Sequence, residues 1–185
     1  KGNSNAPVTG EVSAYNNGNN MVSDRNGIPN QDFDSSLGGC AREQKYEWTI
    51  PLKPVNDTDG NFEYVPERGQ SAGAVNGGPL FGPEDGPGGD AVALHHKYYN
   101  EDRQNVVMDI CGGHSGPGGV YHYHWDLNCA YWIPGPGEDM TDYHWTKING
   151  SQHSPIIGWS FDGYPIYGMY GWDESQNIAA RESRR

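Results

Sequence analysis

The chain has 185 residues, the size of one ordinary domain, and can bury a core without dividing. Only 34% of it is hydrophobic, while 27 Gly and 13 Pro together make up about a fifth, against a usual ~12%; long helices are disfavoured and loops should be abundant. With 24 acidic and 12 basic side chains the net charge is −12, which repels nucleic-acid phosphates and anionic membranes and leaves cations and neutral glycans as partner classes.

The 6 Trp, 12 Tyr and 4 Phe supply apolar surface that a disordered chain lacks, so an aromatic, loop-covered core is expected. No stretch approaches the ~18 apolar residues that span a bilayer, and the start at Lys1 reads as a processed or trimmed chain. The expected fold is mainly β: a single compact β-rich domain with long Gly/Pro-rich loops and at most one or two short helices.

In chain order, residues 1–19 are rich in Asn, Gly and Ser and read as a flexible arm. Tyr46 to Leu52 alternates bulky and polar residues as a half-buried strand does, with Pro51 ending it or placing it at an edge. Asn56 to Asn61 reads as a turn leading to a short strand at 62–65. Its Asp57, Asp59 and Glu63 faintly echo a calcium loop but lack the further ligands.

Residues 69–90, Gly/Pro-rich, should lie across the surface and hold a short apolar element at 75–81. A short helix is expected after Asp90, then a strand from Val106 to Cys111. Residues 173–185 read as a polar tail.

Three cysteines leave one over. Cys111 and Cys129 bracket a His-rich segment and are expected to pair, with pairing through Cys40 as the alternative. The sequons at Asn56 and Asn149 are candidate N-glycan sites.

The segment that carries chemistry is 109–125. Side chains alternate along a strand, so His122 and His124 share one face while Tyr121, Tyr123 and Trp125 share the other. Two imidazoles on one face can chelate an ion, and a glycine-rich loop can fold His114 back to join them.

His95 and His96 are adjacent, so at most one of them, taken as His96, can reach the same ion. His153 is a further candidate ligand. Asp109 and Asp162 are candidate carboxylates that orient ligating imidazoles, Asp162 having an equally good explanation as a turn residue. Ile156, Ile157, Trp159 and Phe161 should fill the core, and His144 is read as structural or exposed.

Tyr121-His122-Tyr123-His124, the Cys-Gly-Gly-His at 111–114 and the long motif at 153–168 together resemble the YHYH domain family. Weaker likeness reaches Asn26-Gly-Ile-Pro and Val75-Asn76-Gly77, so a domain over 20–172 is expected; where the family carries a His near the first of these, this chain has Gln31. The resemblance implies an exported protein, secreted or periplasmic, and leaves the activity open.

The function expected from the residues is an extracellular metal-binding domain with copper or zinc on the histidine cluster. Two alternatives stand beside it: a structural or assembly subunit of a matrix or filament, with self-association or glycan contact, and a metal-dependent hydrolase or oxidase. A Ser-His-Asp hydrolase is disfavoured, because the Gly-X-Ser-X-Gly elbow is absent.

Overall fold

The computed structural model describes residues 9–31, 33, 35, 39–54, 56–61, 67–84, 108–125, 127–173 and 178–181. The expected strand at 62–65, the expected helix after Asp90 and both His95 and His96 lie outside them. The protein is mainly β, as expected, with short 3₁₀ turns at 117–119, 127–130, 140–142 and 145–147.

A first antiparallel sheet runs β1 (Val12–Asn16), β2 (Asn20–Arg25), β3 (Tyr46–Pro51). The β1–β2 turn is capped locally: Asn16 Oδ1 accepts from the Gly18 amide at 2.6 Å and Asn17 Oδ1 from that of Asn20 at 3.0 Å. Gly18, at φ 103°, takes a conformation that suits only glycine.

Val12–Asn16 is therefore a strand and not part of a loose arm. Its side chains are all exposed, so backbone pairing and the Asx turn hold it, and no buried face marks it in the sequence. In β3 the expected alternation appears, with Trp48 and Ile50 buried and Pro51 on an edge strand.

The second sheet has the order β6-β7-β5-β4-β8-β9, from β4 (Gln70–Ala74), β5 (Pro79–Phe81), β6 (Gly113–Ser115), β7 (Tyr121–Tyr123), β8 (Ile156–Ser160) and β9 (Pro165–Tyr167). All its neighbours are antiparallel except β5 and β7, which meet through one parallel pair, Leu80↔Tyr123. A separate ribbon pairs β10 (Tyr170–Asp173) with β11 (Ile178–Arg181), so that part of the expected polar tail is a strand, held by ladder bonds that its composition does not advertise.

The two larger sheets pack closely because Gly73 lacks a side chain: a Cβ there would run into the Trp48 ring. Arg25 crosses the same junction, donating to Ser23 Oγ at 2.7 Å and to the Ala74 carbonyl while its guanidinium lies 4.5 Å from the Trp48 ring centroid. Burial pushes its pKa down to about 10, leaving a charged group solvated by carbonyl, hydroxyl and indole.

The core is aromatic-rich, with Tyr121 and Tyr123 fully buried among Ile28, Phe33, Leu127 and Ile148. Of the expected core residues in β8 and its turn, Ile157 is buried while Ile156, Trp159 and Phe161 are half-buried. Residues 76–79, expected on the surface, are buried instead, since the turn after β4 feeds directly into an inner strand of the second sheet.

Met108 to Cys111, expected as a strand, is a turn. Its hub is Asp109, whose Oδ1 accepts from the amides of Cys111 and Gly113 at 2.9 and 3.0 Å.

Candidate metal centre

The site is a hairpin. After β6 the chain turns through Gly116-Pro-Gly-Gly, where Gly118 and Gly119 both sit at φ 77°, and returns as β7. The register sets His114 directly opposite His122, with Gly113 opposite Tyr123 and Ser115 opposite Tyr121.

His122 and His124 project to one side as the alternation requires, while Tyr121 and Tyr123 fill the core on the other, their rings edge-on at 5.2 Å. Strand pairing ends at Tyr123, so Trp125 leaves the alternation and is exposed, its indole N–H donating to Met108 Sδ at 2.9 Å.

The three imidazoles converge. One ring nitrogen from each of His114, His122 and His124 lies within 4.8 Å of the other two. His124 Nε2 sits 3.1 Å from His122 Nε2 and 3.3 Å from His114 Nε2.

The opposite ring nitrogens determine what these contacts mean. His122 Nδ1 is 3.0 Å from the Val120 carbonyl, and His124 Nδ1 is 2.7 Å from the Gly82 carbonyl. A carbonyl oxygen only accepts, so both Nδ1 atoms carry protons and donate, which leaves lone pairs on both Nε2 atoms.

Two lone pairs 3.1 Å apart repel unless a proton or cation lies between them. With metal–nitrogen bonds of about 2.0–2.1 Å and tetrahedral angles, neighbouring nitrogens stand ~3.3 Å apart, close to the separations found here. Phe81 closes one side, stacked on His122 with centroids 4.0 Å apart and planes 22° from parallel.

The hairpin is anchored from beneath. Asp109 Oδ2 accepts the Tyr121 hydroxyl at 2.6 Å, so the carboxylate grips the turn before β6 and the strand that carries His122. Asn76 Nδ2 donates to the Tyr123 hydroxyl at 2.9 Å and to Gln31 Oε1 at 3.0 Å, and Gln31 donates to the same hydroxyl at 3.3 Å. Gln31, at the position where a family histidine was expected, thus supports Tyr123. Burial first of all, with the nearby Asp109 charge adding to it, pushes both phenols well above the ordinary tyrosine range.

A disulfide joins Cys111 to Cys129, Cα atoms 5.5 Å apart, as expected, leaving Cys40 free and exposed. The residues between these cysteines include all three converging histidines.

A family model described as YHYH protein matches residues 47–184. The chain belongs to the YHYH family. The matched part holds the whole second sheet and all of β3 but its first residue, whereas β1 and β2 precede it. No curated protein and no solved structure matches the chain.

One expected ligand and the two expected orienting carboxylates take other places. His153 packs edge-on to Tyr167 at 4.9 Å and near Trp172, outside the converging group, because it precedes β8 on the far side of the sheet order from β6 and β7. Asp162 accepts from Ser160 Oγ in the exposed β8–β9 turn, which is its turn explanation. Asp109 grips the loop rather than standing as a simple imidazole partner. His144 is exposed, its Nδ1 accepting from the Thr146 amide at the start of a 3₁₀ turn.

Three parts of this YHYH site were missed from sequence: the Val120 and Gly82 carbonyls and the Phe81 ring. Backbone carbonyls leave no mark in a sequence, and Gly82 comes from a distant segment. Only Phe81, in the apolar element at 75–81, carried a legible hint.

Proposed function

We propose that this chain is an exported metal-binding domain that holds one copper or zinc ion on His114, His122 and His124. The observation that carries the reading is the pair of Nδ1–H donors to the Val120 and Gly82 carbonyls, which leaves two Nε2 lone pairs 3.1 Å apart. All three candidate donors are nitrogen, and Cys111 and Cys129 are joined to each other, so the cluster lacks the thiolates of a structural zinc site and favours copper.

The disulfide supports an oxidising compartment, extracellular or periplasmic. The exposed Asn56 suits N-glycan addition in a secretory pathway. Asp109 is engaged in its turn and Asp162 in another, so the carboxylates expected to orient a ligand in a hydrolase or oxidase have other partners, which favours the binding reading.

Element analysis of protein isolated without affinity-tag metal tests the proposal, beside the His122→Ala/His124→Ala double variant. About one copper or zinc per chain that disappears in the variant supports it. A native protein that carries neither metal and refuses both when offered sinks it, and the assembly reading then leads.

A further inference from the structure

A second constellation lies around His153, apart from the converging histidines. A shallow cleft of about 290 Å³ is lined by residues that include Trp132, Ile133, Lys147, Asn149, Gln152 and His153. His153 also touches Tyr167 and Trp172, so the cleft continues onto an aromatic shelf. Trp172 is 57% exposed, Tyr167 46% and Ile133 83%, a concentration of bare apolar surface in and beside the cleft.

The polar groups are of one kind. His153 Nδ1 lies 2.7 Å from the Ser154 carbonyl, so it donates there and Nε2 is left as an acceptor. Asn149 Oδ1 is taken by the amide and hydroxyl of Ser151 at 3.0 and 2.6 Å, which leaves its Nδ2 protons to donate, and the exposed Gln152 amide both donates and accepts. Neutral donors and acceptors beside flat rings suit hydroxyl groups on a ring that has an apolar face.

Charge narrows the occupant. The cleft's one lysine, Lys147, is held by Glu138 at 2.5 Å and lies 5.4 Å from the Trp132 ring centroid. With that cation engaged and a net charge of −12 on the chain, an anionic polymer is repelled. The volume lies near the lower end of the ~300–1,000 Å³ usual for small-ligand sites, enough for a sugar unit with its neighbours lying along the shelf.

We propose that this cleft and shelf bind a neutral saccharide chain, stacking sugar rings on the exposed Trp172 and Tyr167 and bonding hydroxyls through His153, Asn149 and Gln152. The site is independent of the proposed metal centre.

The test is affinity electrophoresis of protein made in a host without N-glycosylation, so that no glycan on Asn149 covers the cleft. The gels contain hydroxyethyl cellulose, xylan, galactomannan or glycogen, with alginate as the anionic control. Retardation by at least one neutral polymer, unchanged by EDTA and weakened about tenfold in both Trp172→Ala and Gln152→Ala, is the expected result. Both residues are exposed, so folding is preserved and is checked by the melting curve. Migration unaffected by all four neutral polymers overturns the proposal, as does retardation that survives in either variant or is strongest in alginate. Loss of binding with EDTA also overturns it, since the metal centre would then be the sugar site.

Discussion

Replacing Cys111 and Cys129 together by alanine separates two roles that the disulfide could play. Its cysteines are 18 residues apart, and closing a loop of that size lowers the entropy of the unfolded chain by an amount worth ~3 kcal/mol. For a chain of this length each kcal/mol moves the melting temperature by about 2–4 °C, so a fall of about 6–12 °C is expected. The three candidate ligands, however, are positioned by the paired strands and by the Asp109 carboxylate, not by the sulfurs. Zinc at ~100 times its dissociation constant adds about 2.7 kcal/mol to any protein that keeps the site. Wild type and variant should therefore rise by the same increment, about 5–11 °C, and stay separated by the same gap. Thermal melts with and without zinc measure all four values. A gap below about 2 °C, or a folded variant that gains nothing from zinc, would refute the reasoning.

Phe81→Ala removes the ring stacked on His122, and metal affinity measured by competition with a chromophoric chelator should fall about tenfold with stoichiometry unchanged. Asp109→Ala strips the acceptor from two amides and a phenol and should cost about 3 kcal/mol or more in urea unfolding. Gly73→Ala drives a methyl group into Trp48 and should cost about 1–3 kcal/mol, or more if the sheets cannot part, by the same assay. Tyr121 and Tyr123 keep their protons in the folded state well above the pH at which free tyrosine ionises. Their contribution is thus complete below pH ~10 and is lost above it, by about 1.4 kcal/mol per pH unit for each phenol. Unfolding free energies from urea titrations should be level from pH 9 to about 10 and fall with that slope from there to pH 11, and a profile flat throughout counts against the buried pair.

The fold was legible where side chains alternate between water and core. Tyr46 to Pro51 announced a strand because burial on one face leaves a period of two, and Tyr121 to Tyr123 announced one by alternating Tyr with His, although all three are buried. Val12–Asn16 and Ile178–Arg181 gave no such sign, since ladder bonds between backbones depend little on which residues carry them. The same division runs through the site. His-X-His on a strand placed His122 and His124 together, and a glycine-rich turn brought His114 across from them. His153 was misjudged because a ligand-type residue in a dense motif says nothing about which side of a sheet it reaches. The carbonyls that orient the rings carried no signal at all.

The bond from His124 to the Gly82 carbonyl reaches beyond the ligands. The three histidines lie close together in sequence, so an ion joining them closes only short loops and restrains little chain. A cation held by His124 would, however, draw electron density from the imidazole and strengthen the hydrogen bond that Nδ1 donates to the Gly82 carbonyl. Gly82 follows β5, whose single bridge to β7 is the thinnest seam in the six-stranded sheet. Occupancy of the centre should therefore be felt as a tightening of that seam, visible as slowed amide exchange in segments remote in sequence from every ligand.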